Sequence, residues 1–177
     1  MKIRMICAED AQPFLELNHK LDAETKLMLF EPGERSTTVQ QVEKRIEHTL
    51  ARDNEAVFVL EDDGVLVGYG SVIGGHLKRN SHKASVVTGI LQSHAGRGAG
   101  SSLFQRLLEW TKTSSLHRLE LTVMKHNVRA IGLYQKFGFE IEGMKKDSLL
   151  IDGQYVDEYL MGCVLRKWPA HMQSVSQ

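Results

Sequence analysis

The chain has 177 residues, 42% of them apolar and 25% charged, the balance of a folded globular protein with a sizeable core. Lysines plus arginines equal aspartates plus glutamates at 22 each, so the basic excess of a nucleic-acid-backbone binder is absent. No apolar run approaches the roughly 20 residues that span a bilayer, and MKIRMICAED lacks a signal-peptide pattern, so the expected location is cytoplasmic, with no nucleic-acid or membrane partner.

In chain order, Ile3 to Cys7 reads as a short strand, and Asp10 offers an N-cap to a helix carrying Phe14, Leu15, Leu17 and Leu21 at helical spacing. The segment MLFEPGERS, Met28 to Ser36, breaks that pattern with Pro32 and Gly33 and is expected to be a loop. Thr37 or Thr38 then caps a second helix with Val39, Val42, Ile46 and Leu50 on one stripe. Ala56 to Leu60 and Val65 to Ile73, joined by EDDG, form an antiparallel hairpin, and a third strand runs from Ala84 to Leu91. A helix through Leu103, Phe104, Leu107, Leu108 and Thr111 extends to about Ser114. An alternating strand at Leu119, Leu121 and Val123 follows, and then a helix capped by Asn127 with Ala130, Ile131, Tyr134 and Phe137 on its inner face. Phe139 to Glu142, Lys146 to Ile151 and Glu158 to Leu165 are expected strands, the last two joined at Asp152-Gly153. One mixed α/β domain over residues 1–166 is expected, with 167–177 as a frayed tail.

Cys7 and Cys163 are expected to be buried, reduced thiols. The eight histidines show no metal-ligand spacing, and no HExxH or CxxC occurs, so no metal is expected.

The stretch HAGRGAG, His94 to Gly100, joins the third strand to the following helix. A dinucleotide fingerprint fails on spacing, because G-x-G-x-x-G begun at Gly96 ends on Ser101 and begun at Gly98 ends on Leu103. A triphosphate loop fails because no lysine lies between Lys83 and Lys112. What survives is a helix start at Gly98, Ala99, Gly100 and Ser101, whose free N–H groups and dipole favour an anion that glycines allow to approach closely.

ILQSHAGRGAGSSLF resembles the acyl-CoA loop of the Gcn5-related N-acetyltransferases (GNAT), [RQ]-x-x-G-x-[GA] after a strand. Ala95 stands where Arg or Gln is usual, and Arg97 is expected to supply the charge instead. HNVRAIGLYQKFGFEIEG resembles the second signature, N-x-x-A-x-x-[LV]-Y-x-K-x-G-F, with Asn127, Ala130, Leu133, Tyr134, Lys136, Gly138 and Phe139 in register. DGQYVDEYLMGCVL is similar to the last strands of bacterial members. The resemblance implies the GNAT fold: a mostly antiparallel sheet of six or seven strands with a central splay, and about four helices.

It also implies acetyl-CoA as cosubstrate and direct transfer to a primary amine of a small molecule or protein N-terminus. On that reading Gly96, Arg97, Gly98, Ala99, Gly100 and Ser101 hold the pyrophosphate. Thr88, Gly89 and Ile90 hold the pantetheine and thioester, with Gly89 at a bulge or close backbone approach. Tyr134 is the general acid, and Asn127 binds the pantetheine or a water. Thr122 occupies the position where some relatives carry a glutamate base, which leaves Glu120, His82, Glu31, Glu34 or a water chain. Glu31 and Glu34 are expected to recognise a cationic amine, and a homodimer through the late strands is expected. The rival reading is a non-catalytic acyl-CoA-binding or sensing module.

Overall fold

The computed structural model describes residues 1–165, so the expected tail lies outside the described residues. Among the described residues seven strands form one sheet: β1 (Lys2–Met5), β2 (Ala56–Asp62), β3 (Val65–Gly74), β4 (Lys83–Ile90), β5 (Arg118–Met124), β6 (Glu140–Ile151) and β7 (Gln154–Val164). Their order is β1-β2-β3-β4-β5-β7-β6, and only β4 and β5 run parallel. Four helices complete the fold: α1 (Ala11–Glu24), α2 (Val39–Leu50), α3 (Ala99–Thr111) and α4 (Val128–Lys136). The expected mostly antiparallel sheet of seven strands with four α-helices is therefore present. No helix among the described residues is long and apolar enough to cross a membrane.

Two apolar layers cover the sheet. Alternation along β4 and β5 sends Ala84, Val86, Leu119, Leu121 and Val123 to one face, where they meet Leu103, Phe104 and Leu107 of α3 and Tyr134 of α4. On the other face Leu17 and Leu21 of α1 and Val42 and Ile46 of α2 pack on Val59, Val67 and Tyr69. Each fully buried Leu, Ile or Phe contributes roughly 1.5–3 kcal/mol of transfer free energy. Leu50, the outermost member of the α2 stripe, is exposed at the last residue of its helix.

The sheet splits at its centre. β4 and β5 pair only through Lys83–Arg118, Ala84–Leu119 and Ser85–Glu120, while β4 stays with β3 to Ile90 and β5 stays with β7 to Met124. The N–H of Leu91 donates to Val67 O (2.9 Å), which fixes the antiparallel alternation: residue 89 bonds β3, and residues 88 and 90 turn their backbone groups toward the split.

Several local expectations change. Thr38 caps α2 in a capping box with Gln41. Asp10, however, does not cap α1 with its side chain; it folds back to accept from the Cys7 N–H (2.9 Å) and from Arg4 Nη1 and Nη2 (2.6 and 2.8 Å). α3 stops at Thr111, short of Ser114. The two strands expected across 139–151 are one strand, β6, whose register shifts between Ile141 and Gly143 and again between Lys145 and Leu149. Cys163 is buried as expected, while Cys7 is only half-buried, and both are free thiols.

The Asp10 arrangement has a pH consequence. Hydrogen bonds from Arg4, opposed by burial, hold its carboxyl down from 3.8 to about 2. A depressed carboxyl adds stability above its unfolded pKa and loses it as pH falls through the folded value. The contribution is roughly 2 kcal/mol, given about 1.4 kcal/mol per pKa unit. Urea midpoints of the wild type should therefore fall between about pH 4 and pH 2, while Asp10→Asn starts lower at neutral pH and loses less over that interval. Parallel curves for the two proteins would contradict it.

Candidate active site

The split between β4 and β5 opens a cleft of about 1200 Å³. Thr88, Gly89, Ile90, Gly96, Gly98, Gly100, Ser101, Asn127 and Tyr134 all line it, so segments far apart in sequence converge on one space.

One end of the cleft is the start of α3. Gly96 and Gly98 have φ of 87° and 81°, the left-handed region that L side chains resist, and Gly98 is the N-cap. The first bonds closing this turn are those of Ser102 N–H to Gly98 O (3.0 Å) and of the residues after it. From Gly96 to Ser101, consecutive backbone N–H groups thus have no protein acceptor among the described residues. An anion of several oxygens fits such a row of donors. Gly100 also serves packing, because a Cβ there would stand 3.2 Å from Leu133 Cδ2, so its absence lets α3 approach α4.

Two residues of the loop do not line the cleft. Ala99 turns its methyl into the core and contributes only backbone, and Arg97 is exposed. A second cation, Arg129, reaches the loop from α4 and lines the cleft, with Nη2 3.4 Å from where a Cβ on Gly96 would sit. It occupies an unspecified position of the second signature, two residues after Asn127, so motif matching passes over it.

Another part of the cleft wall is organised by α4. The Asn127 side chain accepts from Ala130 N–H (3.2 Å), starting the helix next to the end of β5. At the other end the N–H of Phe139 donates to Tyr134 O (3.1 Å) and that of Gly138 to Gln135 O (3.0 Å), a Schellman closure. Held at both ends, α4 sets the Tyr134 ring against Phe104 and Phe139, with centroids 5.3 and 6.1 Å away. The buried Tyr134 hydroxyl shares a 3.2 Å hydrogen bond with Thr88 Oγ1 on the split strand. Burial raises its pKa above the ordinary tyrosine value, partly opposed by the Thr88 bond, so the hydroxyl stays protonated at neutral pH.

The strand positions divide. Thr88 and Ile90 present backbone groups to the split, whereas Gly89 pairs with Tyr69 of β3. Of the two alternatives expected at Gly89, a bulge against β3 is absent, since β4 keeps continuous register with that strand. The close approach is real: a Cβ at Gly89 would lie 2.8 Å from Leu21 Cδ1 and 3.2 Å from Tyr69 Cε1, so this glycine seats α1 against the sheet.

Beyond β4 the cleft continues between the α1–α2 loop and the faces of β5 and β7. Met28, Leu29, Phe30 and Arg35 line it, but Glu31 and Glu34 do not. Both are exposed, and Glu34 Oε2 accepts from the Glu31 N–H (3.0 Å), which turns the carboxylate back on its own loop. His82 is outside the lining too. Thr122 and Glu120 line the cleft, with Glu120 bound to Lys83 Nζ at 2.8 Å. Sequence reading misses Glu158 of β7, buried in the lining and accepting from Ser148 Oγ (2.6 Å) and Lys145 Nζ (3.4 Å). Its partners come from β6, a pairing that no local motif signals.

Comparison with known proteins places this geometry. The family model described as "Acetyltransferase (GNAT) family" matches residues 20–139. L-amino acid N-acetyltransferase AaaT of Escherichia coli is 37% identical over 106 residues, 58% of this chain and 64% of that protein, so the match spans just under two thirds of the relative's length. The crystal structure of an acetyltransferase of the GNAT family from Streptococcus pneumoniae superposes with a TM-score of 0.89 at 27% identity, covering 92% of this chain and 98% of that one. The structure of yncA from Salmonella typhimurium with its cofactor acetyl-CoA has the same fold, with a TM-score of 0.83, 20% identity and 96% of each chain covered. The overall fold is shared with these structures, and with the family model matching well over half of its residues, the chain belongs to the GNAT acetyltransferase family.

Proposed function

We propose that the chain is an N-acetyltransferase that moves the acetyl group of acetyl-CoA directly to a primary amine of a small molecule. The observation that carries this reading is the opening of the unbonded N–H row at Gly96 to Ser101 into the same cleft as the Tyr134 hydroxyl. The N–H row and Arg129 take the pyrophosphate. The backbone of Thr88 and Ile90, turned to the split, bonds the pantetheine and thioester, and Asn127 stands beside them while it caps α4. The name of AaaT, an acetyltransferase of amino acids, supports a small amine as acceptor.

In the reaction the neutral amine nitrogen bonds the thioester carbon, the C–S bond breaks, and Tyr134 delivers its proton to the departing sulfur. A protonated hydroxyl buried beside the split is suited to that role. Removal of the amine's proton falls to water entering along exposed Thr122, because Glu120 and Glu158 are both engaged by lysines. Neither cysteine lines the cleft, and burial pushes the Cys163 thiol up to about 11, so no thiolate is placed to carry the acetyl group. We place the expected homodimer contact on the free edge of β6, where Ile141, Met144 and Leu150 are exposed, to be read by light scattering.

Thiol release from acetyl-CoA over a panel of amines tests the assignment. Amine-dependent release is expected. Tight acetyl-CoA binding with no release for any amine would favour the non-catalytic module.

A further inference from the structure

Resting on the acetyl-transfer reading, we infer that the acceptor is an α-amino acid, or a molecule with a carboxylate next to its amine, and that Arg35 holds that carboxylate. Arg35 belongs to the α1–α2 loop, yet its side chain is only 15% exposed and lines the cleft. Its Nε and Nη2 donate to Oδ2 and Oδ1 of Asp22 at 2.7 and 3.0 Å, and Asp22 is buried on α1. The face of the guanidinium lies over the Phe30 ring, with Cζ 4.2 Å from the centroid. One edge and one face are thereby fixed by the protein. Nη1 has no hydrogen-bond partner among the described residues.

A guanidinium has donors and no acceptors, so the remaining edge selects a group that only accepts, and the planar match is to a carboxylate. Fixing by Asp22 and Phe30 pre-orders the side chain and lowers the entropy lost when a ligand binds. The position suits acceptor binding. Arg35 lines the same cleft as Tyr69 and Thr88, and Tyr69 pairs with Gly89 between the two β4 residues facing the split. A carboxylate on Arg35 therefore shares one cleft with the strand that flanks the split.

The rest of this chamber agrees with a zwitterion. Glu120 of β5 and Glu158 of β7 line the same cleft and offer carboxylates to the ammonium end, although each also accepts from a lysine. Met28, Leu29, Leu149 and Leu160 also line the chamber and give an apolar side chain somewhere to go. A polyamine would set one of its cations against Arg35 with no carboxylate to answer it.

The test compares leucine, leucinamide, isoamylamine and spermidine as acceptors for wild type and Arg35→Lys, the lysine keeping the charge beside Asp22 but losing the fork. In wild type, kcat/KM for leucine should exceed that for leucinamide by about 10²-fold, the range expected when a buried charge-assisted pair is left unmade. In Arg35→Lys that preference should fall to within about fivefold through the KM for leucine, with the KM for acetyl-CoA unchanged. Leucinamide or spermidine outrunning leucine in wild type, or an undiminished preference in Arg35→Lys, would overturn the assignment. Calorimetry of leucine binding to the CoA-saturated protein reads the same site without turnover. Binding that is lost in Arg35→Lys supports the assignment even if no amine releases thiol, in which case only the acetyl-transfer reading fails. Absence of leucine binding and turnover in wild type overturns the assignment, while turnover of other amines would leave acetyl transfer standing.

Discussion

Tyr134→Phe is expected to lower kcat about 10²-fold while leaving the KM for acetyl-CoA within about twofold, because general-acid assistance is worth roughly 10²–10⁴ and the ring itself stays. The substitution removes one oxygen from a site where the phenyl body packs on Phe104 and Phe139, so core packing is kept. What disappears is the proton donor and its 3.2 Å bond to Thr88. Burial raises the Tyr134 pKa, so the acid form persists further into alkaline pH than for an exposed tyrosine. An alkaline decline in kcat that belongs to this group should lie above the ordinary tyrosine range and vanish in the variant. Thr88→Val, which deletes the partner hydroxyl at similar volume, should cost less, because it removes only positioning. The measurement is steady-state thiol release at saturating acceptor. A kcat within threefold of wild type for Tyr134→Phe would remove the residue from the chemistry.

Legibility of this site in the sequence follows the range over which each feature is encoded. Asn127, Tyr134 and Gly138 lie within one helix, where 3.6-residue periodicity and capping chemistry are local, and they fall where the spacing predicts. The N–H row is equally legible, since it depends on a strand, two glycines and a helix start in one short segment. Arg97 shows the limit. A lone cation inside a glycine loop invites assignment to the anion, but the loop's path leaves it exposed, and Arg129 reaches the loop from another helix. Glu31 and Glu34 mislead for a related reason. Loop composition identifies the right wall of the cleft, whereas which side chain turns inward is decided by Asp22, 13 positions before Arg35. Glu158 owes its place to the β6–β7 pairing, and the continuity of β6 depends on irregular registers that hydrophobic alternation cannot report.

Gly98→Val should weaken CoA binding by about 10²-fold, equivalent to roughly 2.7 kcal/mol, while lowering Tm by only a few degrees. No atom lies within 4 Å of a Cβ built on Gly98, so the new side chain meets no steric clash inside the protein. The strain is in the backbone: at φ 81° an L residue costs about 1–2 kcal/mol, which for a chain of this size moves Tm by roughly 2–8 °C. The loop then has two responses. If it holds its geometry, the valine methyls occupy the mouth of the N–H row; if it relaxes to negative φ, those N–H groups rotate away from the cleft. Both remove the same contacts from a phosphate. Gly64 supplies the control, with φ 79°, equally empty surroundings and a place in the β2–β3 turn outside the cleft. Gly64→Val carries the same backbone strain, so it should lose comparable Tm and keep wild-type CoA affinity by calorimetry. Equal losses of affinity in the two variants would mean that Gly98 acts through stability alone, and the N–H row would no longer account for CoA binding.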